Sequence, residues 1–157
     1  MKIAIAGGGA FGTALGVALA LDGKEITLWA RNPDAAQTMQ TSRQNPRLQG
    51  VTLPDTLAPT NALDDLFAAD IILLATPAQT LRGFLQEHVN RLSGKALVAC
   101  CKGIDLTTMT GPVSTIRDCV PSATAAILTG PSFAADIARG LPTALTLACD
   151  DAAQSET

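Results

Sequence analysis

The chain opens on a short apolar run, Lys2–Ala6, that passes directly into Gly7-Gly8-Gly9-Ala10-Phe11-Gly12 and then into a small-residue helical stretch, Thr13–Leu21. A G-x-G-x-x-G turn between a strand and a helix constrains the fold strongly, because each glycine answers a separate steric demand. Gly7 permits the tight turn out of the strand. Gly9, without a side chain, leaves the backbone open to a pyrophosphate. Gly12 lets the helix pack closely on the strand. The start of that helix presents unpaired N–H groups and a partial positive charge, which favour an anion. The turn therefore predicts dinucleotide binding.

Strand and helix patterns alternate along the rest of the chain. A second strand, Glu25–Trp29, follows the turn at Asp22-Gly23. Asn32-Pro33 then reads as a helix start, with Asn32 the N-cap and Pro33 the first helical residue, and that helix ends near Arg43. Gln44–Thr60 carries Pro46, Gly50, Pro54 and Pro59 and is expected to be irregular. Asn61 is placed as the cap of a short helix, Ala62–Ala68. Asp70–Ala75 is a fully apolar buried strand after its first residue. Thr76-Pro77 repeats the cap-then-proline signal, and Leu81, Phe84, Leu85, His88 and Leu92 recur at helical spacing. His88 is read as a packed or rim histidine. Further strands are expected at Ala96–Cys101, Ala125–Leu128 and Ala144–Ala148, with helices from Pro112 and over Phe133–Arg139. Such alternation predicts an α/β fold, a doubly wound, largely parallel Rossmann-type sheet with helices on both faces.

The 157 residues suit one domain, and 47% hydrophobic with only 3% aromatic content points to an aliphatic, alanine-rich core. No apolar run approaches the roughly 20 residues that span a bilayer, and the first residues read as a strand rather than a secretion signal. A cytoplasmic location is expected. A net charge of −3 gives no general attraction to nucleic acid. Cys100 and Cys101 should point to opposite faces of a strand. With Cys119 and Cys149 they form no zinc-like spacing, and His88 is the single histidine, so no metal site is expected and the cysteines read as buried free thiols.

Ligands of an open parallel sheet sit at the carboxyl ends of its strands. After the second strand stands Trp29-Ala30-Arg31-Asn32, with no carboxylate to hold ribose hydroxyls. Arg31 occupies the region of a 2′-phosphate, which a guanidinium grips with paired charge-assisted hydrogen bonds. NADP(H) is accordingly favoured over NAD(H), and the missing acid argues against S-adenosylmethionine. The alternative for Arg31 is a solvated arginine near a helix start. Pro77 follows the third strand, where it would hold backbone beside the nicotinamide ribose or simply begin a helix. Lys102 follows the next, just before Gly103, where an ammonium can bond a substrate oxygen or phosphate. Thr129-Gly130-Pro131-Ser132-Phe133-Ala134 offers backbone amides and the Ser132 hydroxyl.

Gly7–Ala14, Trp29–Asn32, Lys102-Gly103-Ile104, Gly130–Ala134 and Arg139-Gly140-Leu141-Pro142-Thr143, taken in order, resemble bacterial NAD(P)-dependent glycerol-3-phosphate dehydrogenases, and Asn45-Pro46 matches the loop after that family's second helix. The resemblance implies reversible hydride transfer between NAD(P)H and dihydroxyacetone phosphate, giving sn-glycerol 3-phosphate for phospholipid synthesis. It implies dinucleotide contacts from Ala10, Phe11, Arg31, Lys102 and Ala134, and substrate contacts from Lys102, Gly130 and Ser132. Ala10 departs from the serine common at its position, so backbone amides must compensate. The resemblance also implies a second, helical domain that carries the proton-transfer lysine, and a homodimeric parent. Residues 1–149 are then the dinucleotide-binding domain and residues 150–157 a truncated linker, the isolated chain binding cofactor with little or no turnover. Other two-domain dehydrogenases, of the 6-phosphogluconate or ketopantoate type, share the glycine loop without the Gly130–Ala134 and Arg139–Thr143 elements together. A non-catalytic dinucleotide sensor would have least need of Lys102 and Ser132.

Overall fold

The apolar runs Ile3–Ala6, Ile71–Leu74 and Ala96–Ala99 have no polar face to turn toward water, and the structure buries them on both sides at the centre of a sheet. The computed structural model describes residues 1–149. In chain order its elements are β1 (Ile3–Ala6), α1 (Ala10–Leu21), β2 (Ile26–Trp29), α2 (Pro33–Ser42), β3 (Leu57–Thr60), α3 (Leu63–Phe67), β4 (Ile71–Leu74), α4 (Ala78–Glu87), α5 (Val89–Leu92), β5 (Ala96–Ala99), α6 (Pro112–Cys119), β6 (Thr124–Thr129), α7 (Ala134–Ala138) and β7 (Thr146–Cys149). The sheet order is β3-β2-β1-β4-β5-β6-β7, parallel throughout except for the β6–β7 pair. The strand order reverses between β1 and β4, which is where an open α/β sheet leaves a crevice.

Two cores form, one on each face. Ile5, Leu28, Leu73 and Val98 point into the first, under α1, α2 and α7. Ala4, Ala6, Ile72, Leu74, Leu97 and Ala99 point into the second, under α3, α4, α5 and α6. Both are overwhelmingly aliphatic, in keeping with the composition. On the first face α1 runs unusually close to β1. A Cβ on Gly12 would collide with the Gly7 carbonyl oxygen and lie 3.0 Å from the Ala75 Cβ, so only hydrogen fits there.

Local chemistry explains where the boundaries differ from expectation. α1 begins at Ala10 rather than Thr13, because the Thr13 N–H already closes the first turn on the Gly9 carbonyl at 3.0 Å. Asn32 caps α2 as expected, its side chain accepting from the Asp34 and Ala35 N–H groups at 2.8 and 3.2 Å, with Pro33 in the first turn. Leu57–Thr60, expected to be irregular, is the strand β3. Pro59 is tolerated because β3 lies at the sheet edge, where a missing donor costs no ladder bond. Asn61 caps nothing: α3 starts at Leu63 with Ala62 as its N-cap and no side-chain cap, while ahead of it the Thr60 hydroxyl donates to Asp65 at 2.7 Å and accepts from the Ala62 N–H at 3.0 Å. Thr76 caps nothing, since Pro77 is the N-cap of α4. The helical run through Leu92 breaks at His88, whose φ of −119° separates α4 from α5.

The last strand is Thr146–Cys149 rather than Ala144–Ala148, and it runs antiparallel and largely exposed along β6. The chain therefore re-enters from the end at which β6 left. The linker expected at residues 150–157 lies outside the described residues. No helix among the described residues is long and apolar enough to cross a membrane.

Two glycine substitutions should separate steric need from mere presence. Gly12→Ala must displace backbone, and we expect a loss of about 3 kcal/mol or more. Gly83, exposed within α4, has nothing within 4 Å of a would-be Cβ; Gly83→Ala should gain about 0.5–1 kcal/mol. Urea denaturation of both variants checks the pair.

Candidate functional site

The register sets the site. Ala6 pairs with Trp29 on one side and Leu74 on the other, and Leu74 pairs with Ala99. The residues just beyond those partners, Gly7, Ala30, Ala75 and Cys100, therefore stand in one row along the carboxyl edge of the sheet. Over that row lies a cleft of about 1010 Å³, at the upper end of the volumes usual for small-ligand sites.

The glycine loop forms part of its wall. Gly7, at φ +134°, donates its N–H to the Trp29 carbonyl at 3.0 Å, tying β1 to β2 where they end. A Cβ at Gly9 would meet nothing within 4 Å, so the space above it opens to the cleft. Helix α1 has no side-chain cap, and its first helical N–H bond is made by Thr13. The preceding amides of α1 are thus the orphan donors of a helix start, which suit a pyrophosphate. Asn45, 4% exposed, fastens the loop from outside: its Nδ2 donates to the Gly8 carbonyl at 3.1 Å and to the Thr13 hydroxyl at 2.7 Å.

Beyond β2 the wall carries Arg31 and Asn32, then Asn45, Pro46 and Arg47 from the connection after α2. On the opposite face of the sheet α4 contributes Thr80, Phe84 and Glu87, and His88 follows at its end. Of the chain's five aromatic residues, Phe11, Trp29, Phe84 and Phe133 line the cleft. Phe67 backs it, 6.4 Å from Phe84 between ring centroids. His88 packs 5.1 Å from Phe67 and 5.0 Å from Phe84, the packed rim histidine the sequence indicates.

Lys102, exposed after β5, sits 5.9 Å from the centre of the Phe11 ring, at the outer limit of a cation–π contact. The turn that follows it is held by α4. The Gln79 side chain donates to the Ile104 carbonyl at 2.7 Å and accepts from the Leu106 N–H at 3.2 Å. Arg82 pairs with buried Asp105 at 2.5 Å and donates to the Thr108 hydroxyl at 3.1 Å. That guanidinium, with the Thr107 N–H, holds the Asp105 carboxyl at about 2, down from 3.8.

Cys100 and Cys101 line the cleft and pack into opposite cores, as alternation along a strand requires. Burial, with Cys101 beside it, pushes the Cys100 thiol up to about 12, and burial also raises Cys101, so neither is a thiolate nucleophile at neutral pH. All four cysteines are free thiols, but only Cys100 is buried; the other three are partly exposed, Cys101 beyond the end of β5 and Cys119 and Cys149 at the last positions of α6 and β7. No group of three His, Cys, Asp or Glu side chains that could hold a metal ion occurs among the described residues.

Gly7, Gly9, Ala10, Phe11, Arg31, Pro77, Lys102, Ser132 and Ala134 all stand in the wall of the cleft. Gly12 lies behind it, in the α1–β1 contact. Gly130 lies behind Ser132, whose hydroxyl is 3.4 Å from the Gly130 carbonyl oxygen; a Cβ there would be 2.5 Å from the Ala144 carbonyl oxygen. Sequence reasoning missed Asn45 as the tie of the glycine loop, Arg47 as part of the wall, and Gln79 and Arg82 as anchors of the Lys102 turn. Only the polar pair Asn45 and Arg47 flanking Pro46 in a connecting segment was a signal. No local pattern marks a helix residue that bonds a turn 23 or more positions away.

Comparison with known proteins places this cleft in a family. The family model for the NAD-dependent glycerol-3-phosphate dehydrogenase N-terminus matches residues 2–155. A glycerol-3-phosphate dehydrogenase [NAD(P)+] from a Ruegeria species is 59% identical over 96% of this chain and 47% of its own length. The same enzyme from Paracoccus denitrificans is 56% identical over 99% of this chain and 48% of its own length. The crystal structure of glycerol-3-phosphate dehydrogenase from Coxiella burnetii superposes with a TM-score of 0.91 at 28% identity, covering 99% of this chain and 48% of that one. The chain spans about half the length of the curated relatives it matches.

The Asp105 carboxyl gives the site a pH signature. Its folded value is depressed, so its stabilising contribution is complete above its ordinary 3.8 and is lost as pH falls through about 2. The gap in urea midpoint between the wild-type chain and Asp105→Asn should stay constant from neutral pH to about 4 and narrow between there and about 2. Urea melts across that range measure it.

Proposed function

The chain belongs to the NAD-dependent glycerol-3-phosphate dehydrogenase family, and on that footing we propose that residues 1–149 are the dinucleotide-binding domain of an enzyme moving hydride between NAD(P)H and dihydroxyacetone phosphate. The observation that carries the reading is the glycine loop at the point where strand order reverses, with open space over Gly9 and uncapped α1 amides beside it. A pyrophosphate on those amides extends the dinucleotide both ways along the row of strand ends. Its adenosine half lies toward Arg31 and the aromatic wall of α4, and its nicotinamide half toward Phe11, Pro77 and Lys102.

The bound cofactor supplies the hydride; this chain holds it and orients it. Lys102, with an exposed ammonium near Phe11, is the group that would bond the oxygen of a substrate at the nicotinamide end, with Ser132 and the Gly130 backbone beside it. Ala134 stands at the same end. Ketone reduction also needs a proton delivered to the developing alkoxide. We assign that donor to the part of the relatives' length that this chain does not span, so the chain by itself binds cofactor without turnover. NADP(H) is favoured, because Arg31 and no carboxylate follows β2. Four free thiols accord with a cytoplasmic enzyme, and a homodimeric parent is part of the same reading.

Gly9→Val tests the cradle itself. A Cβ at Gly9 meets nothing within 4 Å, so folding should survive within about 1 kcal/mol, while NADPH and NADH binding should each weaken at least about tenfold, or 1.4 kcal/mol. Cofactor fluorescence titration and a thermal melt report the two halves separately; retained binding by a folded variant refutes the reading. In the full-length enzyme, Lys102→Ala should abolish turnover of dihydroxyacetone phosphate, followed as NADPH oxidation.

A further inference from the structure

The wall of the cleft beyond β2 contains two arginines where only one was expected. Arg47 lines the same cleft as Arg31 and Asn32. Neither guanidinium has an acidic partner among the described residues. Among the residues of the wall the one carboxylate, Glu87, belongs to α4, on the other face of the sheet and beside His88. Asp34, in the first turn of α2, is not part of the wall.

The backbone that carries Arg47 is firmly placed. Asn45 is buried against the glycine loop, and its Oδ1 accepts the Arg47 N–H at 3.0 Å. Leu48, on the other side, is 4% exposed and donates its N–H to the Asn45 carbonyl at 2.8 Å. Arg47 is therefore an exposed cation on a backbone tied to Gly8 and Thr13. The nearby start of α2 cannot substitute for it, because Asn32 already occupies the Asp34 and Ala35 amides. An anion at this end of the cleft must be held by side chains.

We propose that Arg47 and Arg31 together grip the 2′-phosphate of NADP(H), which makes Arg47 a specificity-determining residue for the cofactor; this rests on the dinucleotide reading above. A phosphate monoester carries about −1.5 to −2 charges at neutral pH, more than one guanidinium neutralises. Two planar forks give it matched charge and paired hydrogen bonds. The pyrophosphate has its own donors at the start of α1, which leaves Arg47 for the phosphate that distinguishes the two cofactors.

The test is the ratio of NADPH to NADH dissociation constants, measured by fluorescence titration of the chain and of Arg47→Ala, Arg47→Lys and Arg31→Ala, at low and high salt. Arg47→Ala should weaken NADPH about tenfold and leave NADH within about twofold. Arg47→Lys should fall between, keeping the charge without the fork. The salt dependence of NADPH binding should flatten in both alanine variants. Equal weakening of NADPH and NADH by Arg47→Ala would place Arg47 at the pyrophosphate and overturn the assignment, and so would an unchanged ratio in a variant that melts like the parent. A wild-type chain that binds neither cofactor brings down the dinucleotide reading and this assignment together, whereas binding of both with no effect of Arg47 removes only the assignment.

Discussion

Everything at this site depends on how closely α1 approaches β1. The Gly12 position admits no Cβ, and one at Gly7 would lie 2.5 Å from the Ala75 carbonyl oxygen. With hydrogen at both positions, the chain reverses at the very edge of the sheet and the first turn of α1 comes down beside the ends of β1 and β4. That closeness aims the uncapped amides along the strand ends instead of into solvent. It also brings Thr13 within reach of Asn45, so the loop after α2 closes over the turn. A bulkier turn would hold the helix off, and the cleft would lose its floor and its anion donors together.

The two cores cannot by themselves position the connections that make the wall. They are apolar and nearly isotropic in what they accept, whereas a loop needs directional contacts. Polar side chains rooted in helices or caps supply them. Arg43, at the end of α2, donates to the carbonyls of Leu53, Pro54 and Leu57 and so pins the long connection into β3. Asn45 holds the glycine loop, and Gln79 and Arg82 hold the Lys102 turn. Helix α4 in particular serves two sides at once: its start and one face line the cleft, while Gln79 and Arg82 fasten the turn after β5.

This division explains what the sequence discloses. Apolar runs and glycine spacing read out the parallel strands other than β3 and the row of strand ends over which the cleft lies, because those depend on local steric and solvation rules. Cap chemistry located α2 from Asn32-Pro33 alone. Local rules failed where a contact crosses the fold. β3 was hidden by Pro59, which an edge strand tolerates. Neither the antiparallel direction of β7 nor the pairing of Thr60 with Asp65 ahead of α3 has a marker in the local pattern. The wall residues Arg31, Lys102 and Ser132 were legible because they follow strands. Arg47 was not, because its place comes from Asn45 reaching across to Gly8 and Thr13.

The composition of the cleft differs from that of the chain in two respects, and the two reinforce one another. The protein is acidic overall, at −3, yet the wall holds Arg31, Arg47 and Lys102 against the single carboxylate of Glu87. A field of one sign confined to a concave surface is concentrated there, so the site attracts an anion that the rest of the molecule repels. Rings are scarce in the chain, and four of the five, Trp29 of the second core among them, line the cleft. Rings at a wall offer flat faces to a planar heterocycle and little conformational entropy to lose. Cations along the wall together with rings on it match a ligand with several phosphates between planar groups, whereas a purely cationic groove would accept any polyanion. Selection between the phosphorylated and unphosphorylated forms of such a ligand then falls to the stretch where the cations stand without a carboxylate, beyond β2.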